Sequence, residues 1–232
     1  MKEVQETSSE SFSVKKCWSL GQGAFRMTLT AGRWILKTPS VFVVILFGLS
    51  IDSVIRMFLT INSEYYRSIG IQEAAFGLIG AGAAVLGIFL PSVGRVLSKH
   101  AGRIAVGTLV CSLCAVGLWG ISAFFNPYGL FFVFLLFIPM HLLGYFMSLY
   151  IHKDTPAKMR ATVLSFKGLS YNVVYGLAGL FYSWSVAYLR QKSGETQVFE
   201  LSLQYFAPTF LLLLVAAFLI SAIQRHFLRA KK

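Results

Sequence analysis

Two charged side chains lie inside an otherwise apolar stretch. Residues 41–61, VFVVILFGLSIDSVIRMFLTI, carry Asp52 and Arg56 near their middle. A membrane-spanning helix needs about 20 mostly apolar residues, which this stretch supplies. If the helix enters the membrane at Val41, Asp52 lies roughly 17 Å deep, near the midplane of a hydrocarbon core about 30 Å thick. A charge there costs roughly 2.5–3.5 kcal/mol on insertion scales, so these residues are the first candidates for function.

The spacing of Asp52 and Arg56 allows two interpretations. Residues four apart on a helix share one face, so the carboxylate and the guanidinium can pair. In the first interpretation they neutralise each other and only make insertion tolerable. In the second, their face lines a polar pathway, because ionisable residues inside membranes usually face a bundle interior or a water-filled cavity. If transport is driven by protons, Asp52 is the first candidate for the carrier, since arginine stays charged.

Three more polar side chains fall in other apolar stretches and join the candidates for a substrate or ion pathway. His141 can share protons or bind substrate, and a packing histidine is an equal alternative. Tyr145 lies one turn further on the same face, where it either marks a cavity wall or packs in the core. Asn172 either hydrogen-bonds substrate or joins two helices.

The composition indicates an integral membrane protein. Of 232 residues, 56% are hydrophobic and 13% charged, and the mean hydropathy is +0.67. The formal charge of +12 does not indicate nucleic acid, because lysine and arginine lie in short clusters between apolar stretches. We therefore expect the lipid bilayer as a partner, and no nucleic acid.

The apolar stretches predict an all-α, six-helix transmembrane bundle over residues 41–225. Residues 1–40 read as a cytoplasmic, partly amphipathic lead-in, and residues 226–232 as a basic cytoplasmic tail. Alternate loops carry the lysines and arginines, which places both termini in the cytoplasm and the chain in the plasma or inner membrane. The predicted spans are residues 41–61, 74–93, 104–124, 128–151, 161–189 and 205–223.

Two loops resemble those of a known family. The run RVLSKHAGR, which ends at Arg103, is similar to the loop G-x-L-A-D-x-x-G-R of the major facilitator superfamily. Leu97, Gly102 and Arg103 match that loop. Arg95 stands in place of its first glycine, and Lys99 in place of its acidic residue, which in the family takes part in charge contacts between helices.

The run PAKMRATVLS, residues 156–165, is similar to the loop before the family's eleventh helix, with Arg160 in the place of its basic residue. Residues 41–225 thus resemble the C-terminal six-helix half of such a transporter. Residues 1–40 resemble the cytoplasmic loop between the two halves.

The resemblance implies a secondary transporter, or its C-terminal half, that moves a small solute by alternating access. It also implies a gating role for Gly102, Arg103 and Arg160. One half alone would be a fragment, the product of a split gene, or a half that pairs with an N-terminal six-helix half or with a second copy. The alternative function is a non-transporting membrane scaffold or an inactive remnant of a transporter.

The sequence gives no support for enzyme chemistry. The sequence contains no GxSxG, HExxH, P-loop or paired-carboxylate motif. Cys111 and Cys114 form a CxxC inside an apolar stretch without further ligands, which favours packing over redox or metal chemistry. We expect no enzymatic activity, no cofactor and no metal.

The charge pattern makes a topological prediction. In a background without native cysteines, Ser98→Cys and Ala157→Cys should react with a membrane-impermeant thiol reagent only after the cells are permeabilised. Labelling of either site in intact cells would contradict the predicted orientation.

Overall fold

Helices make up nearly all of the structure. The computed structural model describes residues 14–123, 125–192 and 195–230, and no strand occurs among them. The all-helical prediction is confirmed, whereas the lead-in prediction for residues 1–13 and the tail prediction for 231–232 lie outside the described residues. The helices are α1 (Val14–Lys37), α2 (Pro39–Ser68), α3 (Phe76–His100), α4 (Arg103–Ala123), α5 (Gly129–Asp154), α6 (Arg160–Lys192), α7 (Glu195–Gln204) and α8 (Phe206–Ala230), with single 3₁₀ turns at Glu73–Ala75 and Ala157–Met159.

Helix α2 is the centre of the bundle. The residue before it, Thr38, has an extended backbone, and Pro39 opens the helix where the missing N–H needs no partner. Ile51, Val54 and Phe58 are each at most 5% exposed. This helix packs against α5, α6 and α8, and less extensively against α1. It therefore sets the positions of the helices around it.

Helices α4 and α5 run antiparallel and approach closely at two glycines. The Phe132 ring crosses Gly120, and the Leu136 side chain crosses Gly117. Small residues let helix backbones approach where lipid supplies no hydrophobic drive.

Contacts between chain segments gather the predicted cytoplasmic loops at one end of the bundle. An ion pair of 2.6 Å between Arg103 and Asp154 joins the α3–α4 corner to the end of α5. The amide nitrogen of Gln224 donates a hydrogen bond of 2.6 Å to the Leu36 carbonyl oxygen, which brings α8 to the α1–α2 junction. Ile151, near the end of α5, packs in one cluster with residues of that junction. The basic loops therefore share one end.

Five helical segments are long and apolar enough to cross a membrane, counted over the described residues. The sixth predicted span, 161–189, lies in α6, which follows α2 in parallel but is too polar to join them. A helical membrane protein is thus supported, and α6 as a sixth span stays a prediction. The five segments are Pro39–Ser68, Glu73–His100, Arg103–Ala123, Gly129–Asp154 and Gln197–Leu228.

The close approach of α4 and α5 predicts that Gly117→Ala lowers stability. The added methyl group would lie 2.7 Å from Cδ2 and 2.8 Å from Cγ of Leu136. Overpacking of this kind costs about 1–3 kcal/mol. The matched control is Gly107→Ala on the same helix, where nothing lies within 4 Å of the new methyl group and alanine is the better helix former. Thermal unfolding in micelles, followed by circular dichroism, should show a lower melting temperature for Gly117→Ala only.

Candidate functional site

Asp52 and Arg56 pair across one turn of α2. Nη2 of Arg56 lies 2.7 Å from Oδ2 of Asp52. The Arg56 side chain is 35% exposed and the Asp52 side chain 22% exposed. The pair is therefore neither enclosed in the core nor open on all sides, and it lies along the boundary between α2 and α6.

Helix α6 supplies the other partners of Arg56. Nη1 of Arg56 donates a hydrogen bond of 2.9 Å to Oδ1 of Asn172. The guanidinium carbon lies 5.3 Å from the centre of the Tyr175 ring, close enough for a cation–π contact. The Tyr175 hydroxyl lies 2.8 Å from Oγ1 of Thr60 on α2. Two successive turns of α2, at Arg56 and Thr60, are thus joined to α6 by polar contacts.

Lys167 and Tyr171 extend these contacts along α6. Nζ of Lys167 lies 5.0 Å from the centre of the Tyr171 ring. Lys167 is partly buried and near enough to Asp52 for electrostatic attraction. The Tyr171 side chain is only 5% exposed, and its hydroxyl lies against Gly48, one turn before Asp52 on α2. Within the described chain that hydroxyl has no hydrogen-bond partner.

These side chains form one arrangement, which we call the α2–α6 polar cluster. Of its members, sequence reasoning identified Asp52, Arg56 and Asn172 and missed the other four. Lys167 could have been found, since it is a charge inside a predicted span. The tyrosines carried no comparable signal, because tyrosine is common throughout this chain. The cluster consists of Asp52, Arg56, Thr60, Lys167, Tyr171, Asn172 and Tyr175.

His141 and Tyr145 lie at a different interface, between α5 and α3. Nε2 of His141 lies 3.1 Å from the Ala83 carbonyl oxygen. The histidine ring lies against Gly87, and the Tyr145 ring against Gly94. Among the described residues, no hydrogen bond or ion pair connects either ring to the α2–α6 polar cluster. The structure therefore places them in helix packing and does not bring them to the other pathway candidates.

The predicted gating residues lie at the end of the bundle that gathers the basic loops. Arg103 binds both carboxylate oxygens of Asp154, at 2.6 and 2.8 Å, and its guanidinium carbon lies 4.8 Å from the centre of the Tyr150 ring. Nε of Arg160 donates a hydrogen bond of 3.1 Å to the Thr155 carbonyl oxygen. Sequence reasoning did not single out Asp154, because it used that loop only for the topology and for the resemblance at Arg160.

Gly102 opens α4 without a close neighbour. Its carbonyl oxygen accepts a hydrogen bond of 3.1 Å from the Val106 amide, which forms the first turn of that helix. Nothing lies within 4 Å of the position where a Cβ would be. The loop thus holds Arg103 at the helix start, facing the end of α5.

The α2–α6 polar cluster combines groups of the kind that recognise polar solutes with one carboxylate, Asp52, of the kind that takes up a proton. It offers two cations, one carboxylate, an amide and three hydroxyls, a set suited to recognition. Within the described part of the chain, no group of three histidine, cysteine or acidic residues is placed to hold a metal ion.

Comparisons with known proteins return no relative. No protein-family model matches the chain, and neither a curated protein nor a solved structure is similar to it. Evidence for a function therefore comes from the residues of the site.

The half-buried position of the pair predicts that Asp52→Asn destabilises the fold. Arg56 would keep its charge but lose its counter-ion, at a cost of about 1–3 kcal/mol. The matched control is Glu64→Gln on the same helix: the Glu64 side chain is 57% exposed, and its partner Arg67 keeps a contact of 2.8 Å to Glu73. Little change is expected there, because solvent screens exposed pairs. Melting temperatures measured side by side test the difference, and equal values would show that the Asp52 pair is as well solvated as the Glu64 pair.

Proposed function

We propose that this chain is one six-helix half of a secondary transporter that moves a small polar solute. The observation that carries the proposal is the α2–α6 polar cluster. Asp52 and Arg56 lie near the middle of a helix of 30 residues that is otherwise long and apolar enough to span a membrane. Ionisable residues at such positions mark substrate and ion pathways.

Stability alone is a poor reason for this arrangement. A buried ion pair costs several kcal/mol of desolvation per ion, and apolar residues of similar volume often stabilise a protein as well or better. The chain nevertheless keeps Asp52, Arg56 and Lys167 in the same region. A polar pathway gives those charges a use.

The exposed side of the α2–α6 polar cluster is the reason for proposing that the chain is only one half of a transporter. Thr60 and Asn172 are exposed, and Arg56 is 35% exposed, although α2 itself is the central helix. Secondary transporters built from repeats hold substrate at the interface between two bundles and alternate access by rocking one bundle against the other. A second bundle, either an N-terminal half or a second copy of this chain, would cover the cluster and complete the cavity.

Within this proposal, the α2–α6 polar cluster and the end of the bundle that holds the gating residues have separate roles. Asp52 is the proton carrier, if protons drive transport, because the arginine beside it cannot release one. The Arg103–Asp154 pair holds α4 and α5 together at the end where the gating residues lie.

Thiol accessibility tests whether the cluster borders water. In native membranes and a background without native cysteines, Asn172→Cys should react with a small sulfonate reagent at least about tenfold faster than Leu212→Cys, because only hydrated thiols form the reactive thiolate. Leu212 is 70% exposed and lies within about two helical turns of the level of Arg56, since the Leu213 carbonyl oxygen is 3.4 Å from the hydroxyl of Ser50 on α2.

Equally slow reaction at both positions would contradict a pathway and favour the non-transporting scaffold. Fast reaction at position 172 that is slowed by excess of a transported solute would add direct support for substrate binding at the cluster.

A further inference from the structure

The α2–α6 polar cluster carries more positive than negative charge. Arg56 and Lys167 contribute two positive charges and Asp52 one negative charge, which leaves a net charge of +1. The only carboxylate of the cluster already lies 2.7 Å from Arg56. Lys167 therefore has no carboxylate of its own there.

No other described carboxylate is placed to neutralise Lys167. Helix α1, which packs against α6, contains basic but no acidic residues. The remaining carboxylates of the described helices belong to other parts of the fold: Glu64 and Glu73 bind Arg67, Asp154 binds Arg103, and Glu195 and Glu200 lie on α7.

Hydrogen-bond donors accompany the unneutralised charge. The Tyr171 hydroxyl has no partner within the described chain, but it is enclosed against Gly48 and is not open to a solute. Oδ1 of Asn172 accepts from Arg56, so its amide N–H groups are left to donate elsewhere. A cation and an amide donor suit an oxyanion, because hydrogen bonds to a charged group are the strong ones.

We infer that the α2–α6 polar cluster binds a small oxyanion, a carboxylate or a phosphate, with Lys167 as its counter-charge and the Asn172 amide as a hydrogen-bond donor. This inference rests on the proposed function and names the substrate class of that site. Binding of a monoanion would bring the net charge of the cluster to zero, which lowers the cost of holding charge within a membrane. A cationic solute would meet repulsion, and a neutral one would leave Lys167 without a counter-ion.

Ligand-dependent melting of the purified full chain in nanodiscs tests this inference. The probes are small carboxylates (acetate, lactate and benzoate), each compared with its own amide, and inorganic phosphate in a separate arm. Ionic strength is held constant. A bound ligand raises the melting temperature with its concentration in a saturable manner. We expect this rise with at least one oxyanion and none with the matching amide, which keeps the shape of the carboxylate without its charge.

Variants of Lys167 identify the residue responsible. Lys167→Gln should weaken binding of the stabilising oxyanion about tenfold or more, the value of a charge-assisted hydrogen bond, whereas Lys167→Arg should retain most of the affinity. The matched control is Lys192→Gln, since Lys192 also lies on α6 over a tyrosine ring, at 4.6 Å from the centre of Tyr188. It should bind like the unmodified protein. If Lys167→Gln does not fold, the inference is still tested by the comparison of each carboxylate with its amide and by the oxyanion affinity of Lys167→Arg.

The carboxylate and phosphate arms of the experiment show which oxyanion the cluster binds. A melting temperature raised only by carboxylates identifies a carboxylate ligand, and one raised only by phosphate identifies a phosphate ligand. Equal stabilisation by an acid and its amide, no stabilisation by any oxyanion, or undiminished binding by Lys167→Gln would overturn the inference. Failure of the substrate class is separable from failure of the pathway. A reactive thiol at position 172 without oxyanion binding would leave the pathway standing, whereas an unreactive thiol there would remove both.

Discussion

The pairing of Arg56 is the interaction on which the arrangement of α2 and α6 depends. An arginine in the middle of an apolar helix keeps its charge at any relevant pH, so it needs partners that replace water. Asp52 supplies a carboxylate one turn away, and Asn172 and Tyr175 supply an oxygen and a ring face from α6. These polar contacts therefore help to fix the register of α6 against α2, together with the packing of Tyr171 in one apolar cluster with Val41 and Ile45. Helix α6 is correspondingly absent from the described segments that are apolar enough to cross a membrane.

Helix α5 shows the opposite solution. It uses large side chains against glycines on both sides: Phe132 and Leu136 meet α4, whereas His141 and Tyr145 meet α3. Close van der Waals packing of large side chains against glycines replaces the hydrophobic effect, which does not act between helices in lipid. The bundle thus combines two tightly packed interfaces with one polar boundary, and the polar boundary is the part that remains partly open.

Much of the helical architecture could be predicted from apolar stretches, and the Asp52–Arg56 contact from helix geometry, because both depend on neighbours in sequence. The contact of Arg56 with Asn172 joins residues that are 116 positions apart, so no local sequence pattern could predict it. Lys167 carried a signal that was overlooked, a charge inside a predicted span. Asp154 illustrates a different limit: its role depends on the α3–α4 corner lying beside the end of α5, which only tertiary structure provides.

The two-pronged contact between Arg103 and Asp154 has a mechanical consequence. Helices α4 and α5 are already joined by a short turn at residues 125–128, and this ion pair closes their other ends. A hairpin fastened at both ends resists sliding of one helix along the other, so we expect α4 and α5 to move together. A change of shape would then leave the α4–α5 contact intact, and the boundary between α5 and α2 leads directly to the helix that carries Asp52.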